Sequence, residues 1–298
     1  MVPLRRILVA TDFSQDAERA VERAAQLAAQ HGAELHVLHV LQPLDLFPTL
    51  ILGPDGLGGH DEAARAAEHA RLGEQAVRLS ERLGVPVHAD TRIGTVHGEI
   101  ADQAKSVGAD LVVVGARGEN TLLDLLMGAT ASRLLRLLDR PALIVRKPAA
   151  APYRKVLAAV DLSPGSDEVV RHARALSGDS AIEVLHVLGS EVEHRLRRAK
   201  LAQADIGIWL ERQRGEAIRQ LDALLARLEP GVGMGRSVRQ GLASAVICQH
   251  AAETGADLIV LGRHGPRGAL HPWMLGGVSK DVAFATRCDV LLIGLPGS

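Results

Sequence analysis

Two aspartates occupy positions from which a carboxylate could contact a ligand. Asp12 and Asp161 each follow a short apolar run, and each lies two residues before a serine. In such a place a carboxylate either accepts hydrogen bonds from an amine or hydroxyl of a ligand, or caps a turn or helix of its own chain. The occurrence of the pattern twice does not decide between these interpretations, since a structural cap would recur as readily as a ligand contact.

A glycine-rich segment follows another apolar run in each half of the chain. Segment 115–132 has glycines at 115, 118 and 128, and segment 262–279 has glycines at 262, 265 and 276. Glycine permits close backbone approach, and the free N–H groups at a helix start attract an anion. The spacing predicts a phosphate cradle, with an ordinary glycine-punctuated turn as the alternative. Neither segment is a Walker A loop, because no Gly-Lys-Ser/Thr follows. Neither is the Rossmann fingerprint, because the glycines of that motif follow the first strand of the fold.

The elements that must position these residues alternate along the chain. Continuous Val/Ile/Leu runs are typical of strands buried on both faces. The predicted strands are 4–10, 34–40, 86–91, 110–115, 141–146, 154–160, 181–187, 234–239, 257–262 and 289–294. The predicted helices are one from an N-cap at Ser14 to a stop at Gly32, then 61–83, 95–107, 128–139, 165–177, 191–228, 243–254 and 276–287. This alternation predicts an α/β fold with doubly wound parallel sheets, which bind ligands at the carboxyl ends of their strands.

The chain also repeats itself at an offset of 147 to 149 residues. Segment 4–14 matches 153–163, segment 38–41 matches 185–188, and segment 108–115 matches 255–262. Near-constant offsets over half a chain indicate a tandem duplication. The predicted domains are 1–147 and 153–298, joined by the Pro/Ala-rich linker 148–152.

Composition narrows the range of functions. The 298 residues carry 34 Lys+Arg against 35 Asp+Glu, and only 2% are aromatic, which argues against a nucleic-acid partner. Two cysteines cannot form a disulfide framework, and no apolar stretch reaches the roughly 18 residues that span a membrane. We therefore expect a cytoplasmic protein without a membrane partner.

The sequence offers little support for an enzyme or a metalloprotein. No Ser/His/Asp order or paired-carboxylate pattern can be argued from it. The chain has thirteen histidines, but none forms a His-x3-His pair with a carboxylate, and there is no Cys/His cluster. The spacing therefore predicts no metal site formed by the protein's own side chains.

Taken together, the strand-Asp-x-Ser, Leu-His-Val, Gly-Ala-Asp-Leu and glycine-loop motifs resemble the universal stress protein (UspA-like) family. They occur in order and twice, so the resemblance covers nearly the whole chain. It implies two domains, each with a five-stranded parallel sheet in the order 3-2-1-4-5 flanked by four helices. It also implies an intrachain pseudo-dimer in which strands 141–146 and 289–294 pair antiparallel, with further homodimerisation left open.

The ATP-binding branch of that family carries Gly-x2-Gly-x9-Gly-(Ser/Thr). In it, the aspartate after the first strand and a valine at the end of the second hold adenine and ribose, while the loop holds phosphates and any Mg²⁺ bound to them. Carried over, the first site comprises Asp12, Val40, Gly115, Arg117, Gly118, Gly128 and Thr130. The second comprises Asp161, Val187, Gly262, His264, Gly265, Gly276, Gly277 and Ser279.

Both halves depart from the ATP-binding pattern. The Ser/Thr position is Ala129 in the first and Gly277 in the second, where the last glycine interval is also x10. Thr130 and Ser279 place hydroxyls nearby. One lost hydroxyl contact to a phosphate costs about 1.5–3 kcal/mol, or one to two decades in affinity. We expect at least one of the two domains to bind ATP. We expect the protein to act as a stress-response binding module whose protein partners are unidentified. The alternatives are an interaction protein with degenerate sites and a slow ATPase.

Overall fold

The structure is a computed structural model. It describes residues 3–41, 58–116, 129–178, 180–190, 198–199, 202–228, 234–263 and 276–294, with backbone alone for 58–65 and 129–132. The chain forms two compact units, one spanning Pro3–Ala150 and the other containing Ala151–Ser298. Among the described helices, none has both the length and the apolar run needed to cross a bilayer.

The first unit alternates strands and helices in the predicted manner. Its elements are β1 (Arg6–Thr11), α1 (Gln15–His31), β2 (Glu34–Leu41), α2 (Gly58–Leu83), β3 (Val87–Ile93), α3 (Val96–Ser106), β4 (Leu111–Gly115), α4 (Ala129–Leu137) and β5 (Ala142–Val145). All neighbouring strands are parallel, in the order β3-β2-β1-β4-β5. The predicted α/β class and strand order are therefore confirmed for this unit.

The second unit has the same plan. Its elements are β6 (Lys155–Val160), α5 (Ser166–Ser177), β7 (Ala181–Gly189), α6 (Gln203–Arg227), β8 (Met234–Gly241), α7 (Ala243–Thr254), β9 (Leu258–Gly262), α8 (Gly277–Ala285) and β10 (Asp289–Ile293). The strands are again parallel, in the order β8-β7-β6-β9-β10. Two doubly wound domains are thus present in one chain.

The central strands are buried, as their continuous apolar runs predict. Ile7, Leu8 and Val9 of β1 are each 0% exposed, and the first four residues of β4 and of β9 are buried. A parallel sheet covered by helices on both faces requires this pattern. The central strands therefore form a rigid base for the loops that leave their carboxyl ends.

Local capping signals decide where the first helix begins and ends. Ser14 is the N-cap of α1, and its hydroxyl oxygen accepts the N–H of Ala17 at 3.2 Å. Gly32 ends the helix with a left-handed φ of 62°. Both predictions are confirmed, because side-chain capping and a left-handed glycine are local interactions that the sequence displays directly.

One predicted helix is wrong in its extent. The sequence predicted a helix over 191–228, but Ala202 has an extended backbone, with ψ of 142°, and α6 begins at Gln203. Ala202 makes no side-chain capping bond. The position therefore carries none of the residue types that mark a helix start in a sequence. Residues 191–197 and 200–201 lie outside the described ranges.

The aspartate of the repeated Gly-Ala-Asp motif joins the amino ends of neighbouring strands. Asp110 Oδ2 accepts the backbone N–H groups of Arg5 and Arg6 at 2.7 and 3.0 Å. Asp257 Oδ2 accepts those of Arg154 and Lys155 at 3.0 and 3.2 Å. This motif therefore has a structural role at the edge opposite the predicted ligand site.

At that same edge the second domain contains a hydrogen-bonded carboxylate. Glu183 Oε1 in β7 accepts bonds from Ser237 Oγ in β8 and from His250 Nε2 in α7, the latter at 2.8 Å. Burial opposes ionisation of Glu183, but these donors and the positive charge of Arg239 outweigh it, so the pKa of Glu183 lies below its ordinary value. The ionised carboxylate therefore stabilises the second domain.

Replacement of this carboxylate is expected to have a pH-dependent effect. A lowered pKa in the folded state means that the stabilisation is present above the ordinary value of 4.5 and is lost as pH falls through the folded pKa. Glu183→Gln should lower the free energy of unfolding by about 1–2 kcal/mol at pH 7, and the deficit should shrink below about pH 4. Calorimetric melting from pH 7 to pH 3 measures it, with exposed Glu211→Gln as the control. A deficit that grows on acidification would contradict the assignment.

Candidate functional site

The predicted site lies at the carboxyl edge of each sheet. β1 lies between β2 and β4, so Asp12, which follows β1, is close to the ends of both neighbours. The strand order turns outward in both directions from the β1/β4 boundary, and such a switch point leaves a crevice between loops. Asp161 has the same position at the end of β6, between β7 and β9.

Both aspartates form the tight turn that was one of the two sequence interpretations. Asp12 Oδ1 accepts the N–H of Ser14, and Asp161 Oδ1 accepts the N–H of Ser163, each at 3.0 Å. Asp161 Oδ1 also accepts the hydroxyl of Ser166 at 3.4 Å. Oδ2 of this exposed aspartate has no hydrogen-bond partner among the described residues. The turn therefore leaves an acceptor facing outward in the second domain.

The residue after each aspartate has a strained backbone. Phe13 has a φ of 60° and Leu162 a φ of 62°, a left-handed conformation that costs a residue other than glycine about 1–3 kcal/mol. Such strain persists where the surrounding structure fixes the chain, and it is frequent at ligand-binding positions. Both domains therefore share this strained conformation at the residue after the aspartate.

A histidine in the second strand fixes each of these loops. His39 Nδ1 donates to the carbonyl of Thr11 at 2.8 Å, and His186 Nδ1 donates to the carbonyl of Val160 at 2.9 Å. Each imidazole binds the last carbonyl of the preceding strand, directly before the aspartate.

In the first domain, α2 contributes further side chains near Asp12. The ring of Phe13 lies 4.8 Å from that of His39 and 4.1 Å from the guanidinium carbon of Arg71. Glu68 Oε2 lies 3.2 Å from His39 Nε2. The sequence analysis missed Glu68 and Arg71, because nothing in a helical pattern shows which turn of α2 packs on the end of β1.

Gly115, at the end of β4, allows a close approach by the protein's own backbone. A Cβ there would lie 2.8 Å from the carbonyl oxygen of Asp16 and 3.1 Å from the nitrogen of Ala17, both in α1. These distances are too short for a side chain, so glycine is required for α1 to pack against β4. The close approach that the sequence predicted thus has a structural cause here.

The second glycine-rich segment is described at both of its ends. Gly262 ends β9, Gly276 is the N-cap of α8, and the N–H of Gly276 donates to the carbonyl of Arg263 at 2.9 Å. Ser279 Oγ donates to the carbonyl of Gly262 at 2.7 Å and is buried. The serine therefore joins the start of α8 to the end of β9.

Gly277 is the first residue of α8 and stands where the ATP-binding pattern has Ser or Thr. It is exposed, and a Cβ at this position would meet no atom of the described residues within 4 Å. The missing hydroxyl is therefore not excluded by steric crowding. This position differs from Gly115 in that respect.

The remaining predicted site residues are described fully, by their backbone alone, or not at all. Val40 and Val187 lie near the ends of β2 and β7 and are half-buried. Thr130 lies in α4, with its side chain outside the described part of the structure. Arg117, Gly118, Gly128, His264 and Gly265 also lie outside the described residues.

Arg263 is a residue that the sequence analysis missed. It directly follows Gly262 and is only 5% exposed, and its backbone N–H donates to the carbonyl of Ile293 at 2.7 Å. The equivalent residue of the first domain is Ala116, so the two segments differ at this position.

The close approach at Gly115 can be tested by adding one methyl group. Gly115→Ala should lower the free energy of unfolding by about 1–3 kcal/mol, because the α1 backbone must move away from β4. Gly73→Ala is the matched control, since its Cβ would lie in open space within helix α2 and should stabilise by about 0.5–1 kcal/mol. Urea unfolding measures both, and equal stability of Gly115→Ala and wild type would contradict the close approach.

Solved structures share this two-domain fold. A universal stress protein from Archaeoglobus fulgidus superposes with a TM-score of 0.67 over 97% of this chain and 98% of its own, at 19% identity. At that identity the likeness concerns the fold alone. A universal stress protein solved in complex with cAMP covers 48% of this chain at 26% identity, but its TM-score of 0.37 is too low to inform this site.

One sequence relative matches nearly the whole chain, and another matches about half of it. A universal stress protein of Mycolicibacterium smegmatis is 29% identical over 309 residues, which is 96% of both chains. Another from Methanocaldococcus jannaschii, MJ0577, is 27% identical over 49% of this chain and 97% of its own length. The model of the universal stress protein family matches residues 3–146 and again 152–294. The chain therefore belongs to the universal stress protein family and contains two of its domains in tandem.

Proposed function

We propose that the chain binds ATP, or a related adenine nucleotide, in at least one domain and acts as a stress-response regulatory module. The observation that most strongly supports this proposal is the start of α8 at the carboxyl edge of β9. That helix begins beside the switch point, with a glycine N-cap that makes no side-chain capping bond. The N–H groups of a first helical turn have no partner within the helix and can bind phosphate.

The charges in the first helical turns favour the same location. α1 is capped by Ser14 and carries Asp16 and Glu18 in its first turn, and α5 carries Asp167 and Glu168. These carboxylates repel an anion from the helices that follow β1 and β6. α4 and α8, which follow the glycine-rich segments, have no acidic residue in their first turns.

The remaining contacts fit a nucleoside attached to that phosphate. Asp161 is exposed at the end of β6, beside β9, and presents Oδ2 as an acceptor for a ribose hydroxyl. Asp12 has the corresponding place in the first domain, on a loop fixed by His39. Mg²⁺ would reach such a site through the nucleotide phosphates, and nucleotide occupancy would alter binding of a protein partner in the cytoplasm.

Nucleotide binding can be tested on the intact chain. Denaturation of the purified protein followed by ion-exchange chromatography should release an adenine nucleotide, and titration with millimolar ATP should give binding heat. Gly118→Val and Gly265→Val place a side chain in the two loops, so the double variant should lose binding while each single variant shows which domain binds. If the wild type releases no nucleotide and gives no binding heat, the proposal is wrong and the alternative is an interaction protein with degenerate sites. If the wild type releases phosphate from ATP and the double variant does not, the protein is also a slow ATPase.

A gain of affinity is the sharper prediction for the second domain. Gly277→Ser restores the hydroxyl of the ATP-binding pattern at a position with open space, and should tighten ATP binding by about tenfold or more. Gly277→Ala adds the same Cβ without the hydroxyl and is the matched control. Calorimetric titration in the Gly118→Val background measures the second domain alone. Equal affinities of the serine and alanine variants would show that no phosphate lies at the start of α8.

A further inference from the structure

Three potential metal ligands lie close together at the amino edge of the first sheet. This edge is opposite the carboxyl edge, where the nucleotide site is proposed. The register of β2 and β3 pairs His36 with His88, so their side chains lie on one face of the sheet. Glu34 precedes His36 by two residues and lies on the same face. One ligand atom from each of the three residues lies within 4.8 Å of the others.

The two imidazoles are stacked, and one of them lacks a hydrogen bond. Their ring centres are 4.7 Å apart with an interplanar angle of 22°. His36 Nε2 is buried with no hydrogen-bond partner among the described residues, and Glu34 Oε2 lies 3.7 Å from it. Buried polar atoms normally have a partner, so an unpaired imidazole nitrogen beside a carboxylate and a second imidazole needs an explanation.

The second domain has different residues at the positions that correspond to His36 and His88. With an offset of 147 residues, Glu183 replaces His36 and Gly235 replaces His88. The register of β7 and β8 pairs these two residues just as β2 and β3 pair the histidines. In the second domain the carboxylate accepts two hydrogen bonds from its own chain. Only the first domain places two imidazoles and a carboxylate side by side here, among the residues that the structure describes.

We propose that Glu34, His36 and His88 form a binding site for a divalent transition metal of the zinc type. Two imidazoles and one carboxylate are ligands that Zn²⁺ accepts, with water in a fourth position. Ligand bonds of about 2.0–2.2 Å place donor atoms about 3–3.5 Å apart around a tetrahedral ion, so the three side chains must move closer together. The two stacked rings must also rotate until the lone pair of each imidazole points at the ion. Glu34 and His88 are exposed enough to do so.

The main competitor of the metal is a weak ion pair. Arg6 Nε lies 3.8 Å from Glu34 Oε2, with both side chains about half exposed. Exposed ion pairs of this kind contribute little to stability, so a divalent cation can displace the arginine. Metal bound here would join the edge strand β3 to β2 and stabilise the first domain.

The test uses the full chain without an affinity tag, free of nucleotide, and titrated with Co²⁺ and then Zn²⁺. Co²⁺ should give the visible absorption of tetrahedral coordination at one site per chain, and Zn²⁺ should displace it. His36→Ala and His88→Ala should each weaken metal binding at least about tenfold. Loss of a residue that only supports a metal ligand already has an effect of about that size, so loss of a ligand should have at least that effect. His69→Ala, which removes an exposed histidine of α2, is the matched control and should bind as wild type does.

Thermal melting provides the second readout. Zn²⁺ should raise the melting temperature of wild type and His69→Ala, EDTA should reverse the rise, and His88→Ala should show none. His88 is exposed, so its replacement leaves the core intact even if His36→Ala does not fold. Equal metal affinity of His88→Ala and wild type, or equal losses in His69→Ala and His88→Ala, would overturn the proposal and indicate only adventitious binding by surface histidines.

Discussion

In each domain, an imidazole of the second strand donates a hydrogen bond to the carbonyl that ends the first strand. His39 binds Thr11 and His186 binds Val160, at 2.8 and 2.9 Å. A backbone carbonyl at the end of a buried strand needs a donor, and the neighbouring strand supplies it from a side chain. The bond fixes the point from which the next loop leaves the sheet. The left-handed residue, the aspartate turn and the first helix all follow from that point, so the geometry of the candidate site depends on it.

The two edges of the sheets have diverged to different extents since the duplication. At the carboxyl edge, both domains retain the histidine bond, the aspartate turn and the strained residue after it. At the amino edge, the aspartates Asp110 and Asp257 are retained. Glu34, His36 and His88 of the first domain have no counterparts of the same type, since Ala181, Glu183 and Gly235 stand in their places. A nucleotide site common to both domains and a metal site in one of them are consistent with this division. The glycine-rich segments also differ in charged residues, since Arg263 stands where the first domain has Ala116.

Much of the fold could be predicted from the sequence because the relevant interactions are local. Apolar runs indicated the strands, and Ser14 and Gly32 marked the ends of α1. The start of α6 could not be predicted, because Ala202 is not a capping residue. The sequence left two interpretations of Asp12 and Asp161. The structure shows that the turn exists and that Oδ2 of Asp161 has no hydrogen-bond partner among the described residues. The group of Glu34, His36 and His88 was missed because it depends on strand register, which joins residues more than fifty positions apart.

The most direct test of the central claim, that a universal stress protein domain of this chain binds an adenine nucleotide at its carboxyl edge, is the amide NMR spectrum during titration with ATP. Binding at this edge should shift the amides that follow β1 and β4, or those that follow β6 and β9, and most strongly those at the start of α4 or α8. The amides at the amino ends of the strands should stay in place. A spectrum unchanged at millimolar ATP, or shifts confined to the opposite edge, would contradict the claim.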